Sequence, residues 1–436
     1  MTINKKLNYF FSYPLSNITI KKLIFFWLIY ALSISLASIF FGYLLNIKIN
    51  IYDEEFNIIF KNISFSNGDL IYNLYYNNEY FTEFKNIKFY LQKTPAIPFL
   101  IYYISLISKN FFFIIIVKNL IVYSLYFFIS FTSLKSLNQN FLNFILLLLI
   151  PIIIPYNFIV SLNFVYEDSL IALIVPCIYL LALSNYKNKF VVLGLLCFLL
   201  YFVKTSIIFI IIIFPLLILI YEKKTFLKFI PLGFSLLAII VWGMYGLIKT
   251  DRFSFMSTSS SINSYVMSFA YNENFHKYYP YKSTDLIPID QEIPNYVNTE
   301  WELYDHYKEK NLNYLNENYK RYLEDTFIKL KFIFFGIKRD SALPDKFGNY
   351  DNRVRISQII SKLIINCCLI LIIYKTISNF KNLIRDKKNV YFIAIVIFGL
   401  FPHVLVWATS KHLVPIINLC LIYLLLNYNL RNHLTR

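Results

Sequence analysis

A chain of 436 residues that is 58% hydrophobic, 19% aromatic and only 15% charged is too apolar for a soluble domain of its length. Apolar runs of about 16 to 23 residues recur along it, close to the ~20 that carry a helix across a ~30 Å hydrocarbon core. The net charge of +17 would point to nucleic acid in a soluble protein, but here its distribution excludes that partner. Residues 250–355 hold fifteen acidic and fourteen basic side chains, and residues 46–94 hold six and five; the rest of the chain carries twenty-three Lys/Arg against four Asp/Glu. That excess belongs to short connections between membrane helices and is a positive-inside signal. The expected fold is all-α: a polytopic membrane bundle of about ten or eleven transmembrane helices, with two external loops carrying interfacial helices.

In chain order, spans are expected near 23–45, 112–134, 141–158, 169–184, 190–203, 205–220, 228–248, 357–378, 390–408 and 413–429. The first run follows a lysine-bearing segment without a small-residue cleavage site, so it is read as a retained helix rather than a signal peptide. The run 95–108 opens with Pro95 and Pro98, residues suited to a helix start. At fourteen residues it is read as an interfacial helix; a full crossing is the alternative. The charge bias favours the interfacial reading: with ten spans and both termini inside, seventeen of the twenty-three basic residues fall on the cytoplasmic side. Residues 46–94 and 250–355 then lie outside. Within the second loop, "SFMSTSSSINSY" shows little periodicity. The stretch from Tyr314 has helical spacing with aromatics, which predicts a helix lying along the membrane surface. Three parts follow: a catalytic transmembrane module over 1–248 that includes external loop 46–111, a large external loop over 249–356, and C-terminal helices over 357–436. Cys177, Cys197, Cys367, Cys368 and Cys420 all fall in apolar runs and read as packing residues.

Under this topology Asp69, Lys93, Glu167, Asp168, Lys204 and Lys411 all come out on the external edge. Ionisable groups near hydrocarbon are costly and tend to be functional. Each also has a plain structural reading. Asp69, after Asn67-Gly68, either caps the next helix or acts as a general base. Lys93 either snorkels to the interface or holds a lipid phosphate. Glu167-Asp168 opens a helix, whose dipole needs only one of the two carboxylates; the second invites a role in binding a sugar hydroxyl, an amine or a divalent ion. Lys204 breaks two apolar runs and Lys411-His412 precedes the last span, each as a polar connection or a phosphate ligand. Lys118, inside a span, has to find a partner, reach the headgroups or line a cavity.

The order of these elements resembles the glycosyltransferase C superfamily, near the protein O-mannosyltransferases and aminoarabinose transferases. The resemblance rests on an acidic residue and helix after the first span, Lys93-Thr94-Pro95 with Pro98, Glu167-Asp168 after the third span, Lys204-Thr205-Ser206, and Lys411-His412 with Pro415. Gln92 stands where some members carry an acid, Ser206 where proline is usual, and Lys411 where arginine is. The resemblance implies that Asp69 is the catalytic carboxylate and that the lysines meet a lipid-linked phosphate.

The expected function is that of a hexosyl- or pentosyltransferase in a bacterial plasma membrane, working on its external face. It would move a sugar from a polyprenyl-phosphate donor to a glycan, lipid or protein acceptor. Asp69 would be catalytic, with Lys93, Lys118, Glu167, Asp168, Lys204, Lys411 and His412 binding substrate. No cofactor is required by these residues, although the carboxylates leave room for a divalent metal. The alternatives are a transporter or flippase for polysaccharides or lipid-linked oligosaccharides, which would place charges mid-helix and on both sides, and a membrane polysaccharide polymerase.

Overall fold

The computed structural model describes residues 13–44, 67–84, 86–162, 167–222, 225–266, 268, 294–335, 352–378, 385–406 and 410–427. It is mostly helical, with long apolar helices consistent with a polytopic membrane bundle. Helix α1 (Ile20–Leu44) packs on α4 (Phe111–Ser136). Polar side chains tie the pair: Trp27 Nε1 donates to Ser124 Oγ at 2.9 Å and Asn119 Nδ2 to Ser38 Oγ at 3.1 Å. The opposite side of α1 exposes Phe25, Leu28, Leu32, Leu36 and Phe40, an apolar face suited to lipid.

Between these two helices the chain folds as α2 (Asn67–Tyr76), a hairpin of β1 (Thr82–Phe84) and β2 (Ile87–Phe89), and α3 (Ala96–Ile107). Asn86 takes a positive φ of 65° at the hairpin's turn, which asparagine tolerates better than most residues. Pro95 is the N-cap of α3 and Pro98 lies in its first turn. Twelve residues rise only about 18 Å, short of a full crossing.

The expected span 141–158 proves to be two helices. Helices α5 (Phe141–Ile153) and α6 (Pro155–Leu162) meet at a 64° bend. Pro151 and Pro155 flank the break, and each removes a backbone donor from the helical ladder.

Next comes α7 (Asp168–Leu183), in which all sixteen residues are buried. A helix apolar on every side belongs in the centre of a bundle. It packs against α4, α6, α8 (Lys189–Val203), α15 (Lys387–Leu405) and α16 (Val414–Asn427). Asn418 fixes α16 to this hub, donating to Ala172 O at 2.9 Å and accepting from Asn157 of α6. Outside it lie α9 (Ile208–Tyr221), α10 (Ile230–Thr250) and α14 (Asn352–Ser378). Cys177, Cys197, Cys368 and Cys420 are buried and Cys367 is exposed, all as free thiols.

By length and composition, five helices among the described residues can cross a membrane, and the bent α5–α6 pair makes a sixth; five shorter apolar helices complete the bundle. The segment between α10 and α14 holds α11 (Ser259–Val266), α12 (Glu300–Glu317) and α13 (Tyr319–Phe335). The aperiodic Ser-rich stretch is therefore partly helical, and the helix expected from Tyr314 divides at Asn318.

Candidate functional site

The site is built at the start of the buried hub. Glu167 is the N-cap of α7 and Asp168 its first residue. Both carboxylates are buried, Asp168 at 1% exposure. A helix N-terminus favours negative charge, but enclosure demands cations as well.

Two lysines supply them, from segments far apart in sequence. Lys93, between the hairpin and α3, lies 3.7 Å from Glu167 Oε1. Lys204, just past α8, donates to Asp168 Oδ1 at 3.1 Å. The backbone at Lys204 is extended (φ −161°, ψ 116°), so α8 ends there and the Thr205–Ile207 turn begins. Threonine follows each lysine, and the two Lys-Thr pairs are stitched together. Thr94 Oγ1 donates to Val203 O at 2.9 Å. Thr205 Oγ1 accepts the Ser257 amide at 3.2 Å. Two adjacent carboxylates thus face two Lys-Thr units that share one scaffold. Lys-Thr occurs five times in the sequence, so the dipeptide does not single out these two; only folding brings Thr94 to the carbonyl that precedes Lys204.

Histidine completes the group. His412 Nε2 is 3.9 Å from Asp168 Oδ1, beyond a direct hydrogen bond. Its ring stacks on His403 at 3.6 Å with 16° between the planes. Sequence reasoning missed His403, which stands beside Pro402 in the last turn of α15; only the fold brings it to His412. The backbone of Lys411 lies in the Ser410–Leu413 turn, and its side chain is outside the described residues.

Asp69 joins the hairpin. It sits in the first turn of α2 and accepts the Glu83 amide at 3.1 Å. Asn73 holds the same two elements together, donating to Phe81 O at 2.7 Å. Burial lifts the Asp69 carboxyl to about 6; the Glu83 amide pulls it down and the Glu83 charge adds to the rise. Helix α2 packs on α3, which begins three residues after Lys93. Tyr80 links this region to the lysine–carboxylate group: its hydroxyl donates to Lys93 O at 2.7 Å and feels the charge of Glu167.

Lys118 is fully buried in α4 and donates to Ser161 O at 2.6 Å. Of the three outcomes open to it, it finds a partner, a carbonyl at the C-terminal end of α6 where the helix dipole favours a cation.

The lysines and carboxylates at the hub can meet an anion and take hydroxyls or an amine. Asp69, held by the Glu83 amide at the hairpin, can accept a proton near neutral pH. Among the described residues no three His, Cys, Asp or Glu side chains are arranged to hold a metal ion. Compared with family models, curated proteins and solved structures, the chain matches none.

Proposed function

We propose that the chain is a membrane glycosyltransferase that moves a sugar from a polyprenyl-phosphate donor to a glycan, lipid or protein acceptor on the external face of a bacterial plasma membrane. The observation that carries this reading is the meeting of Lys93 and Lys204 with Glu167-Asp168 at one end of the hub helix. A lipid-linked sugar phosphate brings an anion to headgroup depth, and these two cations would receive it. Asp69 takes the acceptor hydroxyl's proton as the oxygen attacks the anomeric carbon. The bond from that carbon to the phosphate oxygen breaks, and Lys93 and Lys204 stabilise the charge left on the phosphate. Glu167 and Asp168 hold the sugar or the acceptor. Lys411 and His412 are assigned to the donor phosphate on the same reasoning, and Lys118 to the framework beneath them.

A second reading, a transporter of lipid-linked glycans, is favoured by the buried cation Lys118 inside α4. The two differ in covalent product. Membranes containing the protein, given a radiolabelled polyprenyl-phosphate sugar, should yield labelled acceptor and free polyprenyl phosphate. Movement of intact donor across sealed vesicles with no new glycosidic bond would sink the transferase. Side-specific labelling tests the topology: a cysteine placed at the exposed Asn313 should react from outside and one at Asn432 should not.

A further inference from the structure

Glu300 is a buried carboxyl that the proposed chemistry does not use. It stands in the first turn of α12, yet the helix has another cap. Thr299 and Glu302 form a reciprocal capping box, with Glu302 N donating to Thr299 Oγ1 at 3.2 Å and Thr299 N to Glu302 Oε2 at 3.1 Å. Glu300 turns inward and is 2% exposed. Its Oε2 accepts the Leu91 amide at 3.3 Å and the Thr258 hydroxyl at 3.2 Å. Around it, the Thr258 amide donates to Leu91 O and the Ser259 hydroxyl to Gln92 O, both at 3.1 Å. One carboxyl therefore closes a junction between the end of the hairpin, the start of α11 and the start of α12. The hairpin end runs straight into Lys93. The neighbouring Ser257 amide reaches Thr205, next to Lys204.

We propose that Glu300 is a positioning residue for Lys93 and Lys204, and that its protonation sets how tightly the starts of α11 and α12 are clasped to the stretch that leads into Lys93. The charged neighbours leave this role to Glu300. On the hairpin side, Glu79 takes Lys88 at 3.5 Å and Lys249 of α10 at 3.4 Å, and accepts the Tyr90 hydroxyl at 3.3 Å. On α12, Asp305 takes Arg252 at 2.6 Å. Lys93 goes to Glu167. The α11 side contributes hydroxyls, and α10 adds the Tyr245 phenol, which feels the Glu300 charge. Those lysines and that arginine thus lie against other acids. Burial is the main cause that lifts Glu300 to about 7, with the Leu91 amide, the Thr258 hydroxyl and the Tyr90 amide pulling it down. A Glu carboxyl released into water titrates near its ordinary 4.5. The closed junction is therefore favoured in full below about 4.5 and loses ground as the pH rises to about 7, the proton being held more tightly in the closed form. Acid tightens the clasp.

The test is amide hydrogen exchange at Leu91 and Thr258 in the full-length protein in lipid nanodiscs, corrected for intrinsic rates, from pH 5 to pH 8. Wild type should lose protection by at least about tenfold over that range. Glu300→Gln keeps an acceptor oxygen without the charge and should hold the low-pH protection throughout. Glu300→Ala should lose protection at every pH. Protection in wild type that does not change with pH, or an equal fall in Glu300→Gln, would overturn the proposal. A second arm rests on the transferase reading: the rate should rise through about pH 6 as Asp69 ionises and fall as the clasp loosens, and Glu300→Gln should remove only the fall. An exchange response without sugar transfer would refute the transferase and leave the clasp. Transfer with flat exchange would do the reverse.

Discussion

Helix α8 carries a paired lysine at each end, and the two pairs are built differently. At its start, Lys189 meets Glu222 at 2.8 Å, and Lys387 meets the other oxygen of the same carboxylate at 2.8 Å. Lys189 also donates to Ser184 O at 3.1 Å. One acid is saturated by two cations, and α8, α9 and α15 are pinned together. About 22 Å away along the helix, Lys204 and Lys93 meet two carboxylates at 3.1 and 3.7 Å, with His412 at 3.9 Å. Short bonds to both oxygens of one carboxylate make a joint. Longer bonds, spread over separate segments and next to a histidine stack, leave the lysines able to turn to another anion. The comparison predicts that mutations at the Asp168 end change chemistry and that mutations at the Glu222 end change stability.

The largest effect is expected for Asp69→Asn. An amide is not a base at neutral pH, so transfer should fall roughly a thousandfold. Stability should hold or rise slightly. The folded carboxyl's value is raised from 3.8 to about 6, so as pH rises through that interval the folded state loses stability. Asparagine avoids that loss. Turnover and thermal unfolding measured on one preparation check both halves. An active Asp69→Asn protein would move the base to Glu167 or Asp168.

Lys204→Met comes next. Losing one oriented cation from a water-poor site costs about 3 kcal/mol of transition-state stabilisation, roughly a hundredfold in rate. Asp168 would be left with less compensation, so some loss of stability should accompany it. Lys204→Arg, which keeps the charge, should restore stability more fully than rate. Full turnover in Lys204→Met would erase the distinction between the two ends.

Glu222→Gln should do the opposite. Two lysines lose their shared anion in a largely enclosed joint, at a cost of about 2 kcal/mol of stability, below the fully buried range because Lys387 is 34% exposed. Turnover per folded molecule should not change. Burial raises the Glu222 carboxyl, but the hydrogen bonds and charges of Lys189 and Lys387 outweigh it and hold it below its ordinary 4.5. Its contribution is thus present above about 4.5 and is lost as pH falls below that. The acid loss in thermal unfolding should be smaller in Glu222→Gln than in wild type by the share that Glu222 contributes.

The helices were legible because apolar length is a strong local signal: the expected span 112–134 is α4 over Phe111–Ser136, and the expected interfacial run 95–108 is α3 over Ala96–Ile107. The paired acids and the two lysines were legible because ionisable residues stand out against apolar runs. What was not legible depends on long-range contact. The hairpin Thr82–Phe89 has strands of three residues each, too short for a periodicity to register. His403 looks like an ordinary polar residue near a helix end until the chain returns at His412. Glu300 is one acid among many in a charge-balanced loop, and only its burial against Leu91 and Thr258 distinguishes it.

The smallest effect expected is that of Thr299→Ala, which separates mechanical support from charge at the start of α12. Thr299 caps α12, and losing an N-cap oxygen costs about 1 kcal/mol. The first turn of α12 also carries Trp301, whose Nε1 donates to Thr250 Oγ1 at 2.8 Å and whose ring lies under Arg252. Fraying this turn should loosen the attachment to α10 together with the Glu300 junction. Exchange at Leu91 and Thr258 should then rise by about fivefold at every pH, with the wild-type pH dependence still superimposed. Glu300→Gln should do the reverse, removing the pH dependence and keeping the low-pH protection. If Thr299→Ala instead removed the pH dependence, the capping box rather than the buried carboxyl would be the titrating element, and Glu302 would take the place of Glu300 in the argument.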